Sequence, residues 1–501
     1  MKRLGRLAPL SRIKDALLKV TALAYDAATR GRRGEKWDAP TLGPVSSLDV
    51  DLPTLIDRSR AAYRNVPWVR AAINNNVSNE IGCGITPRFR CSDLAMRERL
   101  QSLWNAWVDE ADADGVLNFY GLLSLMSLER LVAGEVFVRL RSRRPEDGLT
   151  VPLQLQLMES EQLPLSPQGA PVETRCGIEF NAFGQRVAYW FCRDHPGEMR
   201  YGVSGETTRV SADNIIHHYQ PLRAGQLRGE PAAAPILLRT RIFDDYDDAE
   251  LTRKSTRAQV TGFIIPPAPE ADDGTVGLSP TVPEVVDGAG QITLEPGTMA
   301  ELRPGEDIKF LSSDDAGTGY ADFMRQQLLA IAAGLETPYE LVTGDYSKIN
   351  DRLYKAMISE FHRRLNQRQD HLVIHQVCRR VVRAFIDAAV LSGAIDAPGY
   401  ADDAAIRADI RQVEWRADTW NYLHALQDIQ AKEAKVKAGF TSRAAVVAEM
   451  GGWDVEDVDR QAAEDLARAR SLGLVYSTDP VPATPPAPLT EEPEELQENR
   501  S

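Results

Sequence analysis

The stretch from Pro235 to Gly262 constrains this chain more than any other. Its interior holds neither glycine nor proline, so it reads as one long helix, opened by a proline that a first turn tolerates. Asp244, Asp245, Asp247, Asp248 and Glu250 crowd its middle, and Arg239, Arg241, Arg253, Lys254 and Arg257 bracket them within two turns. Such a charge-laced helix either stays solvated or pairs its acids with bases on a neighbouring subunit. At helical spacing Asp244, Asp247 and Asp248 share a face that could hold Mg²⁺ in a nuclease-like site, but the flanking bases favour charge pairing.

Around this helix the pattern is mixed. Residues 54–81 read as a helix stopped by Gly82 and Gly84, and Leu100–Trp107 and Phe119–Ala133 as further amphipathic helices. Glu135–Leu140, Leu153–Met158, Gly177–Phe180 and Val187–Cys192 read as strands, with Asn181–Gly184 a hairpin turn whose glycine takes positive φ. Residues 320–334 and 351–392 are helical again, and 403–475 reads as a compact helical unit. The chain is therefore expected to be α+β and mostly helical. Its 501 residues allow two to four domains.

The two ends and one internal seam differ in character. Residues 1–36 carry ten Lys/Arg against three acids, which imitates a transit peptide but reads better as a basic arm for an acidic partner. Residues 477–501, rich in Pro and Glu, lack the apolar groups that would offset ordering entropy and are expected to be disordered. The Pro-rich and acidic segment 266–290 reads as a loop or protruding insertion. Five scattered cysteines read as reduced thiols. No apolar run reaches the roughly 18 residues of a membrane helix, so no membrane partner is expected. The 58 Lys+Arg against 72 Asp+Glu, a net charge of −14, argue against a protein held on DNA by a global basic surface.

Three further clusters imitate chemistry. Glu110–Gly115 resembles the front of a calcium loop, but its twelfth position is Gly121 where a bidentate Glu is needed, so it reads as a turn. His371 and His375, with Cys378, stand at zinc-like spacing on a helix, yet Leu372 occupies the place of a zincin's general base, and packed or capping histidines fit better. Cys176, Cys192 and His195 are too few and too unevenly spaced for a structural zinc site. Neither a Gly-x-x-x-x-Gly-Lys-Ser/Thr phosphate loop nor a Gly-x-Ser-x-Gly elbow occurs. No catalytic residue, metal or cofactor is expected.

Several ordered segments point to a family. RSRAAYRNVPWVRAAINNNVSNEIGCGITPR is followed by LWNAWVDEADADGVLNFYGLLSLMSLERLVAGEVFVR, VPLQLQLMESEQL and the hairpin GIEFNAFGQRVAYWFCRDHPG. DNIIHHYQPLRAGQLRGEPAAAPIL, LEPGTMAELRPGEDIKFL, FMRQQLLAIAAGLETPYELVTGDYS and KVKAGFTSRAAVVAEMGGWDVEDVDRQAAEDLARARSLGL complete the series. Together, over about residues 22–475, they resemble the lambda-type portal proteins of tailed bacteriophages.

The resemblance implies a ring, of twelve subunits in this family, at one capsid vertex of the virion, assembled in the host cytoplasm, through which double-stranded DNA enters and leaves. It implies the portal fold, with an α/β wing, a helical stem, a clip and a helical crown, mapped as arm 1–39, wing 40–234, stem helices 235–262 and 319–335, clip 263–318, tunnel loop 336–351, wing-to-crown helix 352–399, crown 400–475 and tail 476–501. Expected partners are the terminase large subunit, head–tail connector proteins, and the major capsid and scaffold proteins. Lys348, Arg352, Asp345 and Asn350 become candidates for the DNA channel, and Arg241, Asp244, Asp247, Asp248, Arg253 and Arg257 for contacts between subunits in the stem. A net negative charge suits a conduit, because each neutralised phosphate adds affinity and would stall its cargo. The alternatives are a metal-dependent nuclease of the packaging machinery and a head–tail neck adaptor ring, against which the length of the chain counts.

Overall fold

The computed structural model describes residues 41–198, 206–259, 263–265, 307–309, 320–418, 420, 425–451 and 454–474. The basic arm, most of the expected clip with its Pro-rich seam, and the acidic tail lie outside the described residues. A short turn of helix leads into α1 (Leu52–Asn65) and α2 (Pro67–Ile81). One helix was expected here; Pro67 divides it, because the residue before a proline is disfavoured in the α region and Val66 is extended at φ −101°, ψ 110°.

After β1 (Thr86–Phe89) comes α3, which runs Leu94–Trp107 rather than starting near Leu100. Asp93 caps it by accepting from the Ala95 N–H at 3.0 Å. Next are α4 (Phe119–Ala133), β2 (Glu135–Ser142), β3 (Leu153–Met158), β4 (Thr174–Arg175), β5 (Ile178–Phe180), β6 (Arg186–Cys192), β7 (Thr207–Ser211) and β8 (Ile215–Tyr219). The hairpin between β5 and β6 turns at Gly184 with φ 77°, as expected.

These strands form two antiparallel sheets, β3-β2-β8 and β4-β5-β6-β7. Strand β2 is buried on both faces. Its Val136 and Val138 join the main core, while Phe137, one residue out of phase, enters the core of the second sheet with Tyr189 and Phe191.

Next comes α5 (Leu237–Gln259), entered through a 3₁₀ turn that holds Pro235, and later α6 (Tyr320–Gly334), the two helices expected to form a stem. Two short strands, β9 (Phe263–Ile265) and β10 (Asp307–Lys309), pair antiparallel between them. Beyond lie α7 (Tyr339–Thr343) and α8 (Asp351–Arg368), which passes through a π-helical segment, Gln369–Cys378, into α9 (Arg379–Leu391). The remaining elements are α10 (Ala404–Ile410), β11 (Val413–Arg416), α11 (Ala425–Lys437), α12 (Arg443–Gly451) and α13 (Val455–Ser471).

The expectation of an all-helical unit over 403–475 is corrected by β11, which pairs antiparallel with β1. The chain thus returns some 330 residues later to the start of the body, and Arg90 and Arg88 hold α13 through Asp454 and Asp457 at 3.3 and 3.4 Å.

The main core is built on an aromatic hub. Trp104 lies 5.0 Å from Trp107, 5.2 Å from Phe119 and 5.1 Å from Phe385, all fully buried. The Trp107 indole donates to the Leu153 carbonyl at 2.7 Å, so its polar edge is satisfied. A second core seats α5 and α6: Ile236, Phe243, Leu328, Ile331 and Leu335 pack with Val69, Ala72 and Ile73 of α2. No described helix is long and apolar enough to cross a membrane.

Candidate functional site

Only the first part of α5 is anchored by apolar packing, through Phe243; further along, side chains decide its partners. Tyr320 at the start of α6 donates its hydroxyl to Asp247 at 2.7 Å, and the Lys254 ammonium sits 4.8 Å over the Tyr320 ring. Tyr246 packs edge-on against Phe323 at 5.0 Å, and Arg239 donates to Gln327 at 2.8 Å. These contacts clamp α5 to α6.

The acids that share a face on the sequence are therefore used separately. Asp247 turns to α6, Asp245 pairs with Arg241 at 2.7 Å along the helix, and Glu250 pairs with Arg253 at 2.5 Å. Asp248 is exposed and Asp244 half-buried. The side chain of Arg257 lies outside the described residues. Leu238 and Ile242, one turn apart, and Leu251, on the opposite edge of the helix from Ile242, remain 75%, 61% and 59% exposed. A helix that leaves these apolar groups and the exposed Asp248 uncovered by the described residues offers a contact surface.

The expected channel segment 336–351 proves to be two different things. Its first half is docked: Thr337 is buried and accepts from Asn76 at 2.6 Å, α7 buries Val342, and Asn75 donates to the Leu341 carbonyl at 2.8 Å. The expectation of a bent excursion through the apolar 339–342 stretch is corrected there, since those apolar groups gain burial against α2. From Gly344, at φ 71°, the chain is exposed. Asp345 accepts from the Ser347 hydroxyl at 2.6 Å and its N–H at 3.0 Å, bonds that hold its carboxyl below the usual range. Asn350 caps α8 by accepting from the Leu353 N–H at 2.9 Å, and Asp351 pairs with Lys355 at 3.3 Å. Lys348 and Arg352 are exposed and enter no ion pair among the described residues.

The sequence reading missed the buried network that ties β2 and β8 to the 3₁₀ turn at Ser160 and the 226–229 segment. Glu135 is fully buried; one oxygen accepts from Ser160 and from Arg228 Nε, both at 2.6 Å, and the other from His217 Nε2 at 2.8 Å and the Gly229 N–H at 2.7 Å. Arg228 also donates to the carbonyls of Leu163, Cys176 and Ser160. Burial opposes ionisation of Glu135, but Arg228 beside it and the His217 and Ser160 bonds outweigh that and bring its pKa down to about 2. The Arg186 guanidinium can only donate to His217 Nδ1, at 3.1 Å, so Nε2 carries the proton and the ring is neutral. Burial lowers the His217 pKa to about 4, against the pull of Glu135.

Gly229 is required here: a Cβ would lie 2.0 Å from the Gly134 carbonyl oxygen. This explains why GEVFVR and LRGEP occur together, and a charged residue opening a buried strand was the signal to follow.

The other candidate clusters serve structure. Asp112 accepts from the N–H groups of Asp114, Val116 and Leu117, and Glu110 from Thr150. His371 and His375 are exposed, which corrects the expectation of packed histidines, while Cys378 is buried. Among the described residues one trio of ligating side chains converges, Glu159, Glu161 and His195, and the Arg60 guanidinium already serves its acids, at 2.6 Å from Glu161 and 3.6 Å from Glu159.

Residues 30–369 match the family described as "Phage portal protein, lambda family". Among relatives, the "Probable portal protein" of Halomonas phage phiHAP-1 is 24% identical over 451 residues, 85% of this chain and 82% of that one. Portal protein B of Escherichia phage lambda is 20% identical over 318 residues, 60% of this chain and 59% of that one. A solved chain from the neck of an empty gene transfer agent particle is 16% identical, with a TM-score of 0.46 over 85% of this chain and 94% of that one.

Proposed function

The chain belongs to the lambda family of phage portal proteins, and from that premise we propose that twelve copies close into the ring at one capsid vertex that carries double-stranded DNA during packaging and ejection. The observation that carries the reading is α5. It is seated on α2, clamped to α6, and still leaves Leu238 and Ile242, one turn apart, exposed along with Asp245 and Asp248. In a closed ring the same edge of every copy meets the opposite edge of the next, and bases of one copy reach acids of its neighbour. Arg241, Asp244, Asp248, Arg253 and Arg257 are the residues proposed for that contact, with Asp247 holding α6 instead.

The exposed stretch 344–352 is proposed to line the channel, with Lys348 and Arg352 touching passing phosphates and Asn350 fixing the start of α8 beneath them. Two bases per copy against a net charge of −14 keep such contacts transient. The terminase large subunit, head–tail connector proteins, and the major capsid and scaffold proteins are the proposed partners, in the host cytoplasm during assembly and in the virion thereafter.

A portal is a structural protein, and no ATPase, nuclease or protease activity is expected of the purified chain. Native mass spectrometry and negative-stain imaging test the reading: rings with a central hole are expected. A monomer at all protein concentrations, or Mg²⁺-dependent cleavage of DNA lost in Asp247→Ala/Asp248→Ala, overturns it.

A further inference from the structure

A pocket of about 430 Å³ opens where α9, the residues after β1 and the returning strand β11 meet, and four arginines line it: Arg90, Arg379, Arg383 and Arg411. Two are neutralised within the chain. Arg90 binds Glu414 at 2.6 Å and Asp454 at 3.3 Å, and Arg411 binds Asp387 at 2.6 Å and the Tyr400 hydroxyl at 2.8 Å. Glu414, the one acid of the lining, is thereby spent on Arg90. Arg379 and Arg383 are exposed and have no hydrogen-bond or ionic partner among the described residues. They stand one helical turn apart, about 6 Å along the axis, where like charges repel. Half-buried Trp415 forms part of the same wall.

We propose that this pocket, on the body of the fold and apart from the 344–352 stretch, binds the backbone phosphates of duplex DNA. Planar guanidinium forks match phosphate oxygens in pairs, and two unspent forks one turn apart address successive groups of a polyanion better than one small ion. The pocket's donors are side chains at an exposed mouth, which suits an extended backbone that also gains by releasing counterions. Arg90 and Arg411, neutralised by their own acids, line the rest of the pocket, so the charge it offers is that of Arg379 and Arg383. The proposal rests on the portal reading for the presence of DNA, but not on the channel assignment.

The test uses the full-length assembled protein and a fluorescein-labelled 20-base-pair duplex of arbitrary sequence, followed by anisotropy over a salt series. The variant Arg379→Gln/Arg383→Gln removes both free charges from exposed positions, and Arg379→Lys/Arg383→Lys restores them. The glutamine variant is expected to lower the slope of log affinity against log salt by about 1.8, roughly 0.9 for each phosphate that is no longer neutralised, and the lysine variant to recover it. An unchanged slope and affinity overturns the proposal. So does displacement of the duplex by millimolar inorganic phosphate, which would mark a free-anion site. Equally tight binding of poly-L-glutamate, abolished in the same variant, would overturn it in favour of an acidic protein partner. Electron micrographs of the same samples separate the two readings: unchanged slopes with intact rings refute this site alone, whereas a wild-type protein without rings refutes the portal reading.

Discussion

Replacing Glu135 by glutamine keeps the shape of the side chain and removes one charge, and the structure states what that costs. Each carboxylate oxygen accepts two donors: Ser160 and Arg228 on one side, His217 and the Gly229 N–H on the other. An amide nitrogen on either side would therefore face donors. The serine hydroxyl can rotate away, but the Arg228 Nε–H and the backbone N–H cannot. His217 cannot escape by changing tautomer, because its other nitrogen accepts from Arg186. Arg228 would be left as a buried cation whose remaining partners are neutral. Breaking a buried pair from one side costs about 3–5 kcal/mol, a large part of the roughly 5–15 kcal/mol that holds a folded protein together.

Urea unfolding followed by tryptophan fluorescence, at pH 7.5 and fixed protomer concentration, measures this directly. Asp245→Asn is the control, since its exposed pair with Arg241 is worth at most about 1 kcal/mol. Glu135→Leu combined with Arg228→Met removes both charges and is expected to cost less than Glu135→Gln alone. A loss below about 1 kcal/mol for Glu135→Gln, or a double variant worse than the single one, refutes the reasoning that the network is a mutually dependent charge cluster.

Three further outcomes are expected. His217 and His218 are kept neutral by burial, with pKa values lowered from 6.5 to about 4 and about 3. Their contribution is complete above pH 6.5 and is lost as pH falls toward 4 and 3, because the unfolded chain takes up the protons first, at up to about 1.4 kcal/mol per pH unit for each ring. Urea midpoints should therefore fall between pH 6.5 and 4, and a flat profile refutes this. Gly229→Ala should abolish soluble folded protein on expression, since its Cβ meets backbone rather than a flexible side chain; a variant melting within a few degrees of wild type would contradict the close approach. Deleting residues 344–348 removes no buried side chain, so rings should persist in micrographs while the length of packaged DNA falls; unaltered packaging in intact rings sinks the channel role.

Where an element depended on local chemistry, the sequence was sufficient. Helix α4 ends on Gly134, β3 alternates between Leu153 and Met158, the β5–β6 hairpin turns on Gly184, and α6 runs over its expected residues. Each is decided within a few residues by periodicity, capping or a backbone angle. The departures are also local in origin: Pro67 forces Val66 out of the α region, and the Asp93 cap starts α3 ahead of its expected first residue.

The candidate sites divided differently. That α5 is long and charged was legible from its composition, but which acid turns inward was not, because Tyr320, which selects Asp247, lies 73 residues away. Nor could periodicity place residues 339–343 against α2 or bring β11 back to β1, since an apolar or β-branched run states only that it will be buried and not on what.

By itself, then, the sequence determined most helices and strands, the long charged helix α5 and, through the order of its segments, the family. Only the tertiary structure decided the Glu135–Arg228–His217 network, the separate uses of the α5 acids and the arginine pocket. Each of these joins groups from distant parts of the chain, and the energy of a buried charge or a crowded guanidinium pair depends on neighbours in space, which no short-range pattern encodes.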